Sequence, residues 1–238
     1  MKISVFSIPE ISLGKHNIKD TRLDQIEVIT KSKKKTYIQV ELVNAEECFD
    51  VDAILAPEDM RTDLVLKDLD FMDTRRGRAE SEEEKAVLNK LKAALEKEGF
   101  VFNAGLNDEE KRLISGYSLI TNKPVILARK EESSDLNTLF SRVVKESNYI
   151  SFFTTGERET RAWLIKKGTT AQEAAGCVHS DIQKGFIRAE IIVCQDFIQA
   201  GGENQAKQQD KLRLEQKDYV VQDGDLVNFR LTSRRKVW

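Results

Sequence analysis

The first third of the chain alternates short hydrophobic runs with polar stretches, a pattern typical of α/β structure. The pattern predicts a strand at residues 2–6, a short helix at 21–29 and a strand at 36–43, where polar and apolar side chains alternate. A further apolar run at 53–56 predicts another short strand. We therefore expect a sheet with helical connections in this region.

From residue 59 the apolar positions recur with helical spacing, which predicts a helix that ends near residue 75. Ser81 and Glu84 form a capping-box pattern, and the apolar stripe that follows ends at Gly99. The two segments predict an antiparallel helical hairpin at about residues 59–99.

The remaining chain divides near residue 150. Before it, the pattern predicts a buried strand at 123–128 and a helix at 136–146. After it come a strand, a helix and further strands, closed by a turn at residues 223–225. One helix on a mixed sheet in this order is the β-grasp, or ubiquitin-like, pattern, so we predict domains at residues 1–149 and 150–238.

Composition narrows the class of protein. The chain has 238 residues, 40% of them hydrophobic and 33% charged, and no run approaches the about 18 apolar residues of a membrane helix. The N-terminus lacks the features of a secretory signal. We predict a soluble, cytoplasmic protein with no membrane partner.

Cysteine and histidine usage argues against disulfides and metal centres. Cys48, Cys177 and Cys194 are far apart and lie in apolar surroundings, so all three are predicted to be buried and reduced. The chain contains only two histidines, His16 and His179, and no metal-binding spacing. No metal site is expected.

Three long blocks carry a resemblance to a known family. They are FFTTGERETRAW at residues 152–163, HSDIQKGFIRAE at 179–190 and DYVVQDGD at 218–225. Through them, residues 150–231 closely resemble the C-terminal TGS domain of the YchF family, the Obg-like ATPases. Weaker pieces continue upstream, among them residues 20–26, 51–54 and 123–126.

The resemblance implies that the first domain is an α/β domain of the P-loop type with an inserted helical hairpin. A P-loop has the pattern GxxxxGK[ST], in which glycines, a lysine and a hydroxyl hold the phosphates and Mg²⁺. Here Gly14 and Lys15 match, whereas Pro9 and His16 stand at the first glycine and the hydroxyl positions. Gly14 and Lys15 are weak candidates for a phosphate contact, and an ordinary loop is the favoured interpretation.

Two further nucleotide motifs differ from the family pattern. Residues 43–47 read VNAEE where an Asp-x-x-Gly switch is expected, and residues 129–132 read RKEE in place of a base-reading Asn-x-x-Asp/Glu. We therefore predict a remnant P-loop-type domain that is not an enzyme, has no catalytic residue and binds no cofactor. The alternative is an ATP- or GTP-binding regulator with an atypical phosphate loop.

The predicted function is non-catalytic binding of RNA, the ribosome or a protein partner through the TGS domain, an activity with which such domains are associated. A third alternative is an accessory protein whose TGS domain senses a small molecule. Trp163 can equally belong to the core, the basic residues can line a solvated sheet edge, and His179 can bond to local backbone at a helix end. A basic tail at 233–238 is a further candidate. The residues proposed for the partner surface are Arg161, Trp163, Lys166, Lys167, His179, Lys184 and Arg188.

Overall fold

The computed structural model describes residues 1–79 and 81–232, which form two compact units. Of the described residues, the first unit contains those within 1–16 and 40–147, and the second contains 17–39 and 148–232. The predicted basic tail at 233–238 lies outside the described residues.

Nine α-helices and eleven strands are defined within the described ranges. The helices are α1 (Thr21–Thr30), α2 (Arg61–Arg76), α3 (Glu82–Leu95), α4 (Asp108–Leu113), α5 (Leu136–Glu146), α6 (Ala171–Val178), α7 (Ser180–Lys184), α8 (Cys194–Ala200) and α9 (Glu203–Gln208). The strands are β1 (Lys2–Val5), β2 (Gly14–Ile18), β3 (Lys35–Thr36), β4 (Ile38–Val43), β5 (Ala53–Pro57), β6 (Val125–Ala128), β7 (Tyr149–Thr155), β8 (Thr160–Lys166), β9 (Phe186–Val193), β10 (Arg213–Glu215) and β11 (Asp225–Leu231).

A five-stranded sheet in the order β2-β4-β1-β5-β6 carries the first unit. β1 runs parallel to both β4 and β5, and β5 runs parallel to β6. Ile54, Leu55 and Ala56 are fully buried, which is the burial expected of a central parallel strand covered on both faces. The chain leaves this unit within β2 and returns within β4.

Helices α2 and α3 form the predicted helical pair and share an apolar core built from residues such as Met72, Leu88 and Leu91. Ser81 caps α3 by accepting from the Glu84 amide. The Glu84 carboxylate accepts hydrogen bonds from Arg75 and Tyr117.

A mixed sheet in the order β10-β9-β11-β7-β8-β3 carries the second unit. β7 lies inside this sheet, antiparallel to β8 and parallel to β11. No strand is predicted from the sequence at residues 149–155, although the apolar residues of this segment are buried on both faces. Phe152 packs on one face and Phe153 on the other, and both are fully buried.

The second unit resumes at residue 148, close to the predicted boundary, but it also contains residues 17–39, which had been predicted to lie in the first domain. Helix α1 packs against β7, β8 and α8 and buries Leu23 and Ile26 completely. Strand β3 then pairs with β8. The predicted strand at 36–43 is accordingly split into β3 and β4, one in each sheet.

Cys48 and Cys194 are buried as predicted, whereas Cys177 is exposed, because it lies on the outer side of α6. Within residues 1–79 and 81–232 no helix is long and apolar enough to cross a membrane. The same residues contain no cluster of side chains suited to a metal ion.

Candidate functional site

Arg161 and Trp163 form an ordered stack on one face of the second sheet. Because they are two residues apart on β8, their side chains share a face. The Arg161 guanidinium carbon lies 4.1 Å from the centre of the indole ring. Phe152, the cross-strand partner of Trp163, stacks against the indole with ring centres 6.3 Å apart. The indole therefore contacts both a cation and a phenyl ring.

Trp163 is partly buried and donates its indole N–H to the Thr154 hydroxyl at 2.9 Å. It also packs against the core cluster that contains Phe152, so it belongs to the core as well as to the surface. Trp163 is thus part of the core and also supports a surface residue, Arg161. Its main effect on the surface is to orient Arg161.

Arg161 is a partly exposed cation with no hydrogen bond or ion pair among the described residues. The nearest acidic residue in sequence, Glu159, accepts from Thr36 and pairs with Lys34 at 3.2 Å. The hydrogen bond from Thr36, more than the neighbouring charges, lowers the pKa of Glu159 below its usual value. Arg161 is therefore held in place by stacking while its N–H groups remain available to an anion.

The other predicted basic residues do not join Arg161 in one surface. Lys166 and Lys167 lie at the opposite end of β8, roughly 16 Å along the strand, and Lys166 faces the Tyr149 ring. Arg188 lies on the other face of the sheet. It shares a face with Ile192, four residues further along β9, and Ile192 is joined to Phe153 through their common pairing partner on β11. The single basic face expected from the sequence is thus divided by strand alternation.

His179 occupies the junction of α6 and α7. Its Nδ1 accepts a hydrogen bond from the Asp181 amide at 3.1 Å, and it caps α7. This is the geometry of the helix-end interpretation. Lys184 is exposed at the end of α7.

A lysine-rich segment at residues 31–35 was missed by the sequence analysis. β3, which contains Lys35, pairs with β8 so that Thr36 stands opposite Arg161. The signal was present as four lysines in five residues, KSKKK. Its position could not be inferred, because the pairing partner is more than 120 residues away.

The first unit has an open cavity of about 620 Å³ at the carboxyl ends of β1, β5 and β6. Ligands of open α/β sheets bind at this edge. Pro9, Glu10, Glu58 and Arg129 are among its lining residues.

Gly14 and Lys15 are not in a loop, as had been favoured, but in the edge strand β2. β4 lies between this strand and β1, and neither residue lines the cavity. The chain from residue 7 to 13 therefore connects β1 to a strand and not to a helix.

Comparison with known proteins identifies the family of this chain. Residues 149–232 match the family model YchF-GTPase_C, described as a protein of unknown function (DUF933). The Ribosome-binding ATPase YchF of Haemophilus influenzae is 31% identical over 242 residues, covering 76% of this chain and 67% of the relative. The chain belongs to the YchF family.

Other YchF proteins agree with this assignment. The Bacillus subtilis Ribosome-binding ATPase YchF is 30% identical over 245 residues, with 76% of this chain and 67% of the relative covered. The solved YchF GTPase of Schizosaccharomyces pombe has a TM-score of 0.78 at 19% identity and covers 97% of both chains, which shows a shared mixed α/β fold. This chain spans about two thirds of the length of the curated YchF relatives it matches.

The comparisons also correct the prediction that the chain is not an enzyme. That prediction is wrong in light of the YchF relatives, which are named ATPases at 30–48% identity. It relied on three short motifs, whereas the match to those ATPases extends over most of the chain.

Proposed function

We propose that this YchF-family chain is a ribosome-binding protein that contacts its partner through the second unit. The relatives of similar sequence are named ribosome-binding. We further propose that residues 150–238, completed by 17–39, are a TGS β-grasp domain, and that the remaining α/β region carries the helical hairpin at 59–99.

The observation that carries the proposal is the geometry of Arg161. A guanidinium fixed on an indole loses little conformational freedom when it binds an anion, and arginine matches phosphate through two parallel hydrogen bonds. Ribosomal RNA presents such phosphates at high density. A ribosome partner also agrees with the predicted cytoplasmic location.

The test is co-sedimentation of the full chain with purified ribosomes over a range of KCl concentrations. We expect Arg161→Ala to weaken binding by roughly 5- to 30-fold, the range typical of an interface arginine worth about 1–2 kcal/mol. Arg112→Ala is the matched control, since Arg112 is an exposed helical arginine of the first unit. Equal binding by both variants and the wild-type chain would remove Arg161 from the interface.

The YchF relatives are also named ATPases. ATP turnover by the full chain, measured with and without ribosomes, determines whether it has that activity. Arg129→Ala should be measured beside the wild-type chain, because Arg129 directly follows β6 and lines the cavity at the carboxyl ends of β1, β5 and β6.

A further inference from the structure

Five cations lie in the segment before the edge strand β3, in the turn before β8 and on β8. We call this group the lysine edge and define it as Lys31, Lys33, Lys34, Arg158 and Arg161. The pairing of β3 with β8 assembles it from two distant parts of the chain. The backbone amide of Lys33 donates to the Glu157 carbonyl at 3.2 Å, and the Thr160 amide donates to the Lys34 carbonyl at 2.9 Å.

A cluster of buried hydroxyl groups holds the segment at residues 31–34 against β8. Ser32 is buried between two exposed lysines, and its Oγ lies 2.6 Å from the Thr160 hydroxyl. Thr160 is fully buried and also lies 2.6 Å from the Thr155 hydroxyl. The lysines therefore extend from a backbone that is held at Ser32, Lys33 and Lys34.

The charges on this edge are only partly neutralised. Lys34 forms an ion pair with Glu159. Lys35, which is not part of the lysine edge, forms one with Asp24 at 2.7 Å. In the part of the chain that the structure describes, the remaining four cations of the edge have no ion pair, and Glu157 is the one exposed carboxylate in the adjoining turn. These four cations are Lys31, Lys33, Arg158 and Arg161.

We propose that the lysine edge binds the phosphate backbone of RNA. The inference rests on the proposed ribosome binding. Clustered lysine and arginine side chains on a fixed backbone are suited to neutralising successive phosphates of a nucleic acid. Lysines on an outer strand can also serve only to prevent pairing between sheets of different molecules. That simpler role predicts no contribution to RNA binding, so the two can be separated by experiment.

The experiment measures binding of the full chain to a labelled single-stranded RNA of about 16 nucleotides by fluorescence anisotropy in a KCl titration. The test variant is Lys31→Gln with Lys33→Gln. The control is Lys97→Gln with Lys217→Gln, which removes the same charge from two exposed lysines elsewhere. A third variant, Lys31→Arg with Lys33→Arg, keeps the charge.

For single strands each phosphate contact contributes about 0.7 to the slope of log affinity against log salt, or about fourfold in affinity near 0.15 M salt. We expect the Gln test variant to bind RNA roughly tenfold more weakly, with a slope smaller by about 1.4. The control and the Arg variant should bind as the wild-type chain does.

Three results would overturn the proposal. They are equal RNA binding by both Gln variants, aggregation of the test variant with unchanged RNA affinity, and competition by polyglutamate as effective as by unlabelled RNA. Ribosome sedimentation of the same variants separates this proposal from the proposed function. If the wild-type chain binds RNA through the lysines but does not sediment with ribosomes, only the proposed function fails.

Discussion

Each unit is stabilised internally by its own polar network, and the two networks are of opposite kinds. In the first unit, the fully buried Asp68 of α2 accepts hydrogen bonds from the amides of Ile120 and Thr121 and from the Thr121 hydroxyl, at 2.6–2.8 Å. Among the residues that the structure describes, no cation donates a hydrogen bond to Asp68. In the second unit, Arg22 forms a bidentate pair with Asp20 and a 2.7 Å bond to Asp223, close to solvent.

The difference shows how burial decides what a polar contact contributes. Water does not reach this site to replace the Asp68 carboxylate as an acceptor, so removing Asp68 leaves its three buried donors without a partner. Water can reach the Arg22 network, since the side chain of Asp223 is 51% exposed. A large charge network near solvent therefore contributes less than one buried carboxylate.

The largest expected effect is that of Asp68→Ala. We expect it to lower the free energy of unfolding of the first unit by about 3–5 kcal/mol, because it strands three buried donors. Hydrogen exchange of α2 and α3 in increasing denaturant measures this unit by itself. Asp70→Ala, an exposed change on the same helix, should cost less than about 0.5 kcal/mol. Equal effects of the two changes would refute the role of burial.

A smaller effect is expected for Arg22→Ala in the second unit, about 1–2 kcal/mol. The guanidinium also lies over the Phe153 ring at 5.2 Å, so part of the loss is packing. Hydrogen exchange of β7 and α1 follows this unit. Arg22→Lys should recover part of the loss, because it keeps the charge without the fork. The charge-dependent part should shrink in high salt, and a salt-independent loss would point to packing alone.

The pH dependence of unfolding should differ between the units by a still smaller amount. Burial raises the pKa of Asp68 above its ordinary 3.8, although hydrogen bonds from Thr121 and Ile120 oppose the shift. The folded state then binds more protons than the unfolded state between these pKa values, so stability falls as pH rises through that window. Relative to Asp68→Asn, the wild-type chain should lose unfolding free energy from about pH 4 upward until Asp68 is ionised. A relative gain would show a lowered pKa.

Thiol reactivity gives the finest comparison. Burial raises the pKa of Cys194, next to the Arg22 network, to about 11, and the thiol is 2% exposed. At pH 8 only about a thousandth of it is thiolate, so iodoacetamide should modify the exposed Cys177 first. Mass spectrometry of peptides measures the order. The charge of Arg22 lowers the pKa of Cys194 in part, so in Arg22→Ala that pKa rises further and Cys194 should react no faster, while Cys48 of the first unit should not change.

Local sequence signals predicted elements whose determinants are close together. The helix predicted at 136–146 is confirmed at the same residues as α5, because its N-cap, Asp135, and its apolar stripe all lie within one segment. β7 was missed since Phe152 and Phe153 are adjacent and buried on opposite faces, which removes the alternation that marks a half-buried strand. β2 was missed because it is short, polar and at an edge.

The candidate site was only partly predictable for a related reason. Arg161 and Trp163 were found because their spacing of two residues on one strand is visible in the sequence. Arg188 was grouped with them, although strand pairing places it on the other face. The lysine edge depends on β3 pairing with β8, a long-range contact with no local signature.

The excursion of residues 17–39 into the second sheet has a consequence for synthesis on the ribosome. When this segment emerges, Leu23 and Ile26 have no partner surface, because β7 and β8 are made more than 100 residues later. The first unit can close around residues 1–16 and 40–147 during that interval. Leu23 and Ile26 therefore stay unburied until β7 and β8 have been made, so the second unit completes its folding after the first.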